Sequence, residues 1–301
     1  MKLLALLIGL VVERLATQLF HLRRSRWLDS AIDFGFRQGI RLGNWPALIP
    51  VVILAFVFVL PIALVRIGLA DVLFGFPYLI LAIIVLFFSL GPKDIGEDVD
   101  EYCHAIEADD AGRIDATAKA LIESDVPDEL EERIHKVEEA VCIQANNRLF
   151  AVIFWFVLLG PVGAWTYRVT DLIRRRAVFN ALREEQPGDA PLVEATGMLH
   201  GWLAWIPARL TAIGFAMAGS FDGALSAWRN ADEAPPDTSH EQSERLLARV
   251  GTGALALREI DAETAADRGI RGATAANGLV YRLLFIWAAV IAAMTLYGWS
   301  V

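Results

Sequence analysis

Seven polar side chains stand at the edges of strongly apolar segments: Glu13, Arg14, Asn147, Arg148, Tyr167, Arg168 and Arg209. Ionisable groups at membrane depth are costly to desolvate, so they pair with one another or mark a ligand path. Four of the seven are arginines, whose planar guanidinium matches the two-oxygen edge of a carboxylate or phosphate. Together with Glu13 and Asn147 they read as ligand-binding residues for a small anion at the membrane face. The competing reading makes them internal ion pairs, such as Glu13–Arg209, that fix helix packing.

Other chemistries find no support. There is no Gly-x-x-x-x-Gly-Lys-Ser/Thr phosphate loop and no His-Glu-x-x-His pair. Cys103-His104, His135 and Cys142 lack zinc-ligand spacing, and no nucleophile elbow supports a catalytic triad. No metal, no cofactor and no catalytic residue is therefore assigned. The two cysteines need no partner. A net charge of −9 argues against nucleic acid, which demands a basic face.

The elements that must position these groups are helices in a bilayer. The chain is 55% hydrophobic, with mean hydropathy +0.45, and the excess lies in blocks. Residues 1–90 form the first region. Its opening helix carries Glu13, Arg14, Thr17, Gln18 and His21 on one stripe, and Arg23, Arg24 and Arg26 close it. Trp27 to Trp45 reads as a polar connector. Two spans follow, Ala47–Val65 and Asp71–Leu90, the latter about long enough to cross roughly 30 Å of hydrocarbon.

Residues 91–145 form an acidic helical insertion. Gly91 to Arg148 holds 17 acids and 6 bases, whereas the remainder holds 19 and 21. Ser124 or Asp125 is the expected N-cap ahead of Pro127, and Leu130, Ile134, Val137 and Val141 keep helical spacing straight into Leu149. One long helix is expected to enter the membrane from solvent.

Residues 146–301 form the last region. Gly160, Pro161 and Gly163 weaken the run Leu149–Trp165, so a broken, re-entrant helix competes with a straight crossing. The arginines decide between them. If the run crosses, Arg174, Arg175 and Arg176 lie outside, against the positive-inside tendency; if it dips and returns, all soluble parts stay cytoplasmic. The return is preferred. Gly197–Gly219, interrupted by His200, Pro207 and Arg209, is expected to be a buried, interfacial or re-entrant helix pair. Glu241–Ala276 reads as peripheral helix, and Leu279–Val301 as the final span. The fold class is all-α: a polytopic membrane protein, with the lipid bilayer as its first partner and a helical soluble insertion.

Several phrases together resemble the AmpE proteins of Gram-negative inner membranes, which share a superfamily with the adenosylcobinamide-phosphate synthases. They are Glu13-Arg14-Leu15, Asn147-Arg148-Leu149-Phe150, Phe154-Trp155-Phe156, Gly160-Pro161, Tyr167-Arg168 and Trp205-Ile206-Pro207-Ala208-Arg209-Leu210. The resemblance implies a multi-pass inner-membrane protein, regulatory or sensory, linked to cell-wall recycling and β-lactamase induction. It implies the cytosolic amidase AmpD as partner. The ligase branch carries Asn-Thr-Leu-Asp after its Tyr-Arg pair and Asp-Asp-x-x-Asn before its Pro-Ala-Arg phrase. Here Val169-Thr170-Asp171-Leu172 and Gly197–Leu203 stand instead, which disfavours an amide-forming enzyme as the rival function.

Overall fold

The computed structural model describes Leu6 and residues 26–41, 45–69, 76–90, 94–122, 126–184, 190–231, 239–258 and 260–297. Among the described residues every regular element is a helix. The expectations placed on 7–25, Glu13 and Arg14 included, lie outside them.

Helix α1 (Arg26–Arg41) occupies most of the stretch read from sequence as a polar connector. Its polarity misleads because only one face is polar: Leu28, Ile32 and Phe36 recur at helical spacing and are buried. Helix α2 (Leu48–Leu69) is long enough, at about 33 Å, to cross a bilayer, and it exposes Ile53, Phe56, Val57, Leu64 and Ile67. Such an outer surface is stable only against hydrocarbon or an apolar partner. Helix α3 (Phe76–Ser89) is apolar and runs about 21 Å; residues 71–75 of the second expected span lie outside the described residues.

The acidic insertion folds as α4 (Ile95–Glu107), α5 (Ala111–Ile122) and the start of α6 (Leu130–Ala145). The N-cap position of α6 is Glu129, later than the sequence suggested, and its side chain makes no cap hydrogen bond. Instead Arg133 Nε donates back to the Pro127 carbonyl at 3.0 Å, tying down the approach. From α6 the chain continues through a π-helical turn (Asn146–Phe150) into α7 (Ala151–Leu159), so one helix runs from Leu130 to Leu159.

Gly160 stops it. Its φ of 72° and ψ of −155° belong to a region open essentially only to glycine. Helix α8 (Pro161–Glu184) then starts with proline at its first position, where the missing N–H costs nothing. A Cβ on Gly163 would meet the Trp155 carbonyl oxygen at 2.4 Å, so α7 and α8 touch backbone to backbone. Contacts from Tyr167 to Asn147 and from Arg175 to Gln144 show α8 running back antiparallel beside α7 and α6. The Arg174–Arg176 cluster consequently returns to the level of Gln144.

Helix α9 (Ala190–Ala218) is one 29-residue helix with Pro207 inside it, not the helix pair expected. It presents Trp202, Trp205, Ile206, Leu210, Ile213 and Met217 outward on one face. Helices α10 (Phe221–Ala231) and α11 (Ser239–Leu255) pack against it, and α12 (Ala265–Leu296) closes the bundle. The first half of α12 packs on α4 and α6 through Gly269, Gly272, Ala273 and Ala276; its second half exposes Phe285, Val290 and Leu296. Among the described residues three helices are thus long and apolar enough to cross a membrane: Leu48–Leu69, Leu130–Leu159 and Ala265–Leu296.

Candidate functional site

The π turn builds the site. There the Ala151 N–H donates to the Asn146 carbonyl, five residues back instead of four. Such turns are rare and frequent at functional sites. The widened turn aims three consecutive side chains at different neighbours. Asn146 accepts from the Thr211 hydroxyl of α9 at 3.0 Å and donates to Asn147 Oδ1 at 3.1 Å. Asn147 Oδ1 also accepts from the Tyr167 hydroxyl at 3.2 Å, while its Nδ2 donates to Glu244 of α11 at 3.4 Å. Arg148 reaches into the acidic module, donating to Asp98 of α4 at 2.6 Å, and its Nε donates to Gln144 at 3.0 Å.

The returning arm supplies the other half. Asp171 is fully buried and accepts from Arg168 at 2.9 Å, Arg174 at 3.2 Å and Arg175 at 2.9 Å. His200 Nε2 lies 3.8 Å from its second oxygen, and the His200 and Tyr167 rings are 5.2 Å apart. Burial alone pushes the Asp171 carboxyl up, but the Arg175, Arg174 and Arg168 guanidiniums outweigh it and hold the group ionised, below its ordinary range. Burial pushes the Tyr167 phenol well above its ordinary value, so it stays a neutral donor.

Gln144 joins the halves. Its amide oxygen accepts from Arg148 Nε and from Arg175 Nη2, the latter at 3.1 Å. A continuous polar chain therefore runs Asp98–Arg148–Gln144–Arg175–Asp171–Arg168. Among the described residues the cluster gathers the guanidiniums of Arg148, Arg168, Arg174 and Arg175 and the carboxylates of Asp98, Asp171 and Glu244.

Of the residues proposed from sequence, Asn147, Arg148, Tyr167 and Arg168 come together here, all buried. Arg209 does not join them. It sits on the outer face of α9, its guanidinium 3.8 Å from the ring centroid of the exposed Trp205 and donating to the Trp205 carbonyl. Gln144, Asn146, Asp171, Arg175, His200 and Glu244 were not picked out by sequence reasoning. Asp171 had a signal: it is the lone acid between Arg148 and Arg183, with arginines three before, three after and four after it, all within one helical face. Among the described residues no three His, Cys, Asp or Glu side chains gather as a metal site would require.

Helices of membrane length, an acidic helical insertion and a buried polar junction where one apolar helix turns back define an all-α membrane protein. Comparison then places it. The family described as "Regulatory signalling modulator protein AmpE" matches residues 1–301, the whole chain, and the protein belongs to that family. It is a regulatory membrane protein. It is also similar to the "Cobalamin biosynthesis protein CobD" of Stutzerimonas stutzeri (strain A1501), 25% identical over 214 residues, covering 69% of this chain and 68% of that protein. No solved structure matches it significantly.

Proposed function

We propose that this chain is a multi-pass inner-membrane sensor in cell-wall recycling that modulates β-lactamase induction. It binds an anionic ligand or partner at the cytoplasmic face and acts through the cytosolic amidase AmpD. Family membership supports the regulatory role. The observation that supports the ligand class is the convergence of Arg148, Arg168, Arg174 and Arg175 on the Gln144–Asp171 junction. The reversal at Gly160 supports a re-entrant hairpin that keeps residues 91–145 and Arg174–Arg176 on one side, in keeping with the positive-inside tendency. Residues 1–90, 91–145 and 146–301 then act as membrane anchor, soluble module and sensing region. Deleting the gene and measuring β-lactamase induction and β-lactam susceptibility tests the role. Unchanged values in both would refute it.

The rival reading is a membrane amide-forming enzyme, favoured by likeness to CobD over 69% of the chain. The position at which that branch carries a polar ligand-binding motif holds Asp171 here, and three arginines already engage its carboxylate. This disfavours the enzyme.

A further inference from the structure

A second polar hollow lies at the polar end of the bundle, away from the Gln144–Asp171 junction. A cleft of about 500 Å³ opens between α6, α10, α11 and α12, lined among others by His135, Glu138, Asn230, Arg249, Thr252 and Arg268. It shares His135 and Arg268 with a neighbouring lobe of about 440 Å³ that reaches Glu131, Ile134, Glu263 and Thr264. Each lobe is within the size range of small-molecule sites.

The charges of the first lobe are unequally spent. Glu138 is 3% exposed, and both Arg268 guanidinium nitrogens donate to its carboxylate. His135 turns its two ring nitrogens to Glu138 and Glu139, at 3.8 and 3.5 Å. Those groups satisfy one another. Arg249 is different. Its Nη1 donates to the Asn230 carbonyl at 3.0 Å, which pins the guanidinium against the end of α10. Among the described residues no carboxylate pairs with it. A guanidinium has five N–H donors, so most of its fork remains for a ligand. A lone exposed arginine says little. This one is fixed by a backbone carbonyl, lines a hollow beside a second arginine whose charge is already spent, and borders a second lobe for the rest of a molecule.

We infer that the Arg249 lobe binds the acid group of a small organic anion, a carboxylate or phosphate, whose body extends past Arg268 into the neighbouring lobe. This goes beyond the junction reading and does not depend on it.

The test uses the full chain in detergent micelles at constant chloride. Inorganic phosphate, citrate and glucose 6-phosphate are titrated by calorimetry. Saturable one-to-one binding of at least one probe is expected. Arg249→Gln should weaken it on the order of ten- to a hundredfold, the loss of charge-assisted hydrogen bonds, and Arg249→Lys should keep part of it. Thr252→Phe, which fills the lobe without changing charge, should abolish it and covers the case in which Arg249→Gln fails to fold. Arg113→Gln, on the exposed surface of α5 away from both sites, should leave it unchanged. Absence of saturable binding by all three probes overturns the inference. So does binding insensitive to both Arg249→Gln and Thr252→Phe, or binding lost equally with Arg113→Gln. Because the readout is binding, a null gene-deletion phenotype would sink the proposed role and leave this inference standing.

Discussion

Asp171→Asn tests whether the junction is held by charge. The carboxylate is fully buried and is shared by three guanidiniums, of which Arg168 is 5% exposed, Arg174 11% and Arg175 21%. An asparagine keeps the shape and removes the charge. Arg168 then faces an amide in place of a carboxylate, while Arg175 keeps Gln144. Removing one partner of a buried ion pair typically costs about 3–5 kcal/mol, and the exposure values concentrate that cost on Arg168. Unfolding in micelles, followed by tryptophan fluorescence, should show this loss near neutral pH. The pH dependence has a fixed sign. The folded carboxyl titrates below its ordinary value of 3.8, so its contribution is complete above that value and drains as pH falls below it. The gap between wild type and variant should therefore narrow from about pH 5 to pH 2. Arg168→Met in the Asp171→Asn background should recover part of the loss, since it removes the most deeply buried of the three cations that lost the carboxylate. If Asp171→Asn unfolds within about 0.5 kcal/mol of wild type, the change seen for ordinary surface substitutions, the charge argument fails.

Two further perturbations address the elements that carry the junction. Gly160→Ala forces a Cβ into a backbone region reserved for glycine and should cost about 1–3 kcal/mol, measured by the same unfolding assay; no change would mean the turn relaxes freely. Arg176→Gln removes the two-point grip on Asp33 of α1, made at 2.7 and 2.5 Å. Hydrogen bonding from Arg176 holds the Asp33 carboxyl below its ordinary value against the opposing effect of burial. Since both side chains are over a fifth exposed, global stability should drop by only about 1 kcal/mol. Amide exchange should quicken across residues 26–41, and unchanged protection there would refute the latch.

The helical, membrane-borne character was readable because apolar periodicity and length are properties of single segments. So was the run from Leu130 into Leu159, and so was the break, because glycine and proline act locally. The connector was misread because α1 is polar on one face only, and a buried stripe of Leu28, Ile32 and Phe36 is easily hidden among arginines. The site was half legible. Asn147 and Arg148 lie before the turn and Tyr167 and Arg168 after it, so reversal brings them together. Arg209 was placed with them because it interrupts an apolar helix. Which face of α9 it occupies is decided by packing against α8 and α11, and its guanidinium lies over the Trp205 ring instead. Asp98 and Glu244 come from distant helices, and a π turn depends on tertiary demand that no local pattern announces.

Gln144 gives the polar chain its reach. Apolar helix contacts are non-directional and tolerate small slides, whereas the acceptor at Gln144 Oε1 satisfies Arg148 and Arg175 together in only one alignment of α6 with α8. The acidic module is tied to that alignment through Asp98. Movement of the module relative to the returning arm must then break a buried, charge-assisted bond, so the two regions switch together or not at all. Gln144→Leu separates this from mere adjacency: it removes the bridging oxygen and a 3.4 Å bond to the Leu121 carbonyl, and leaves both ion pairs in place. Global stability should fall by about 1–3 kcal/mol. The informative quantity is the coupling between Asp98→Asn and Asp171→Asn in a double-mutant cycle. With Gln144 present the two losses should be non-additive by more than about 0.5 kcal/mol, and with Leu at this position they should add within that margin. Equal coupling in both backgrounds would show that the two ion pairs communicate through packing alone and that the amide bridge is incidental.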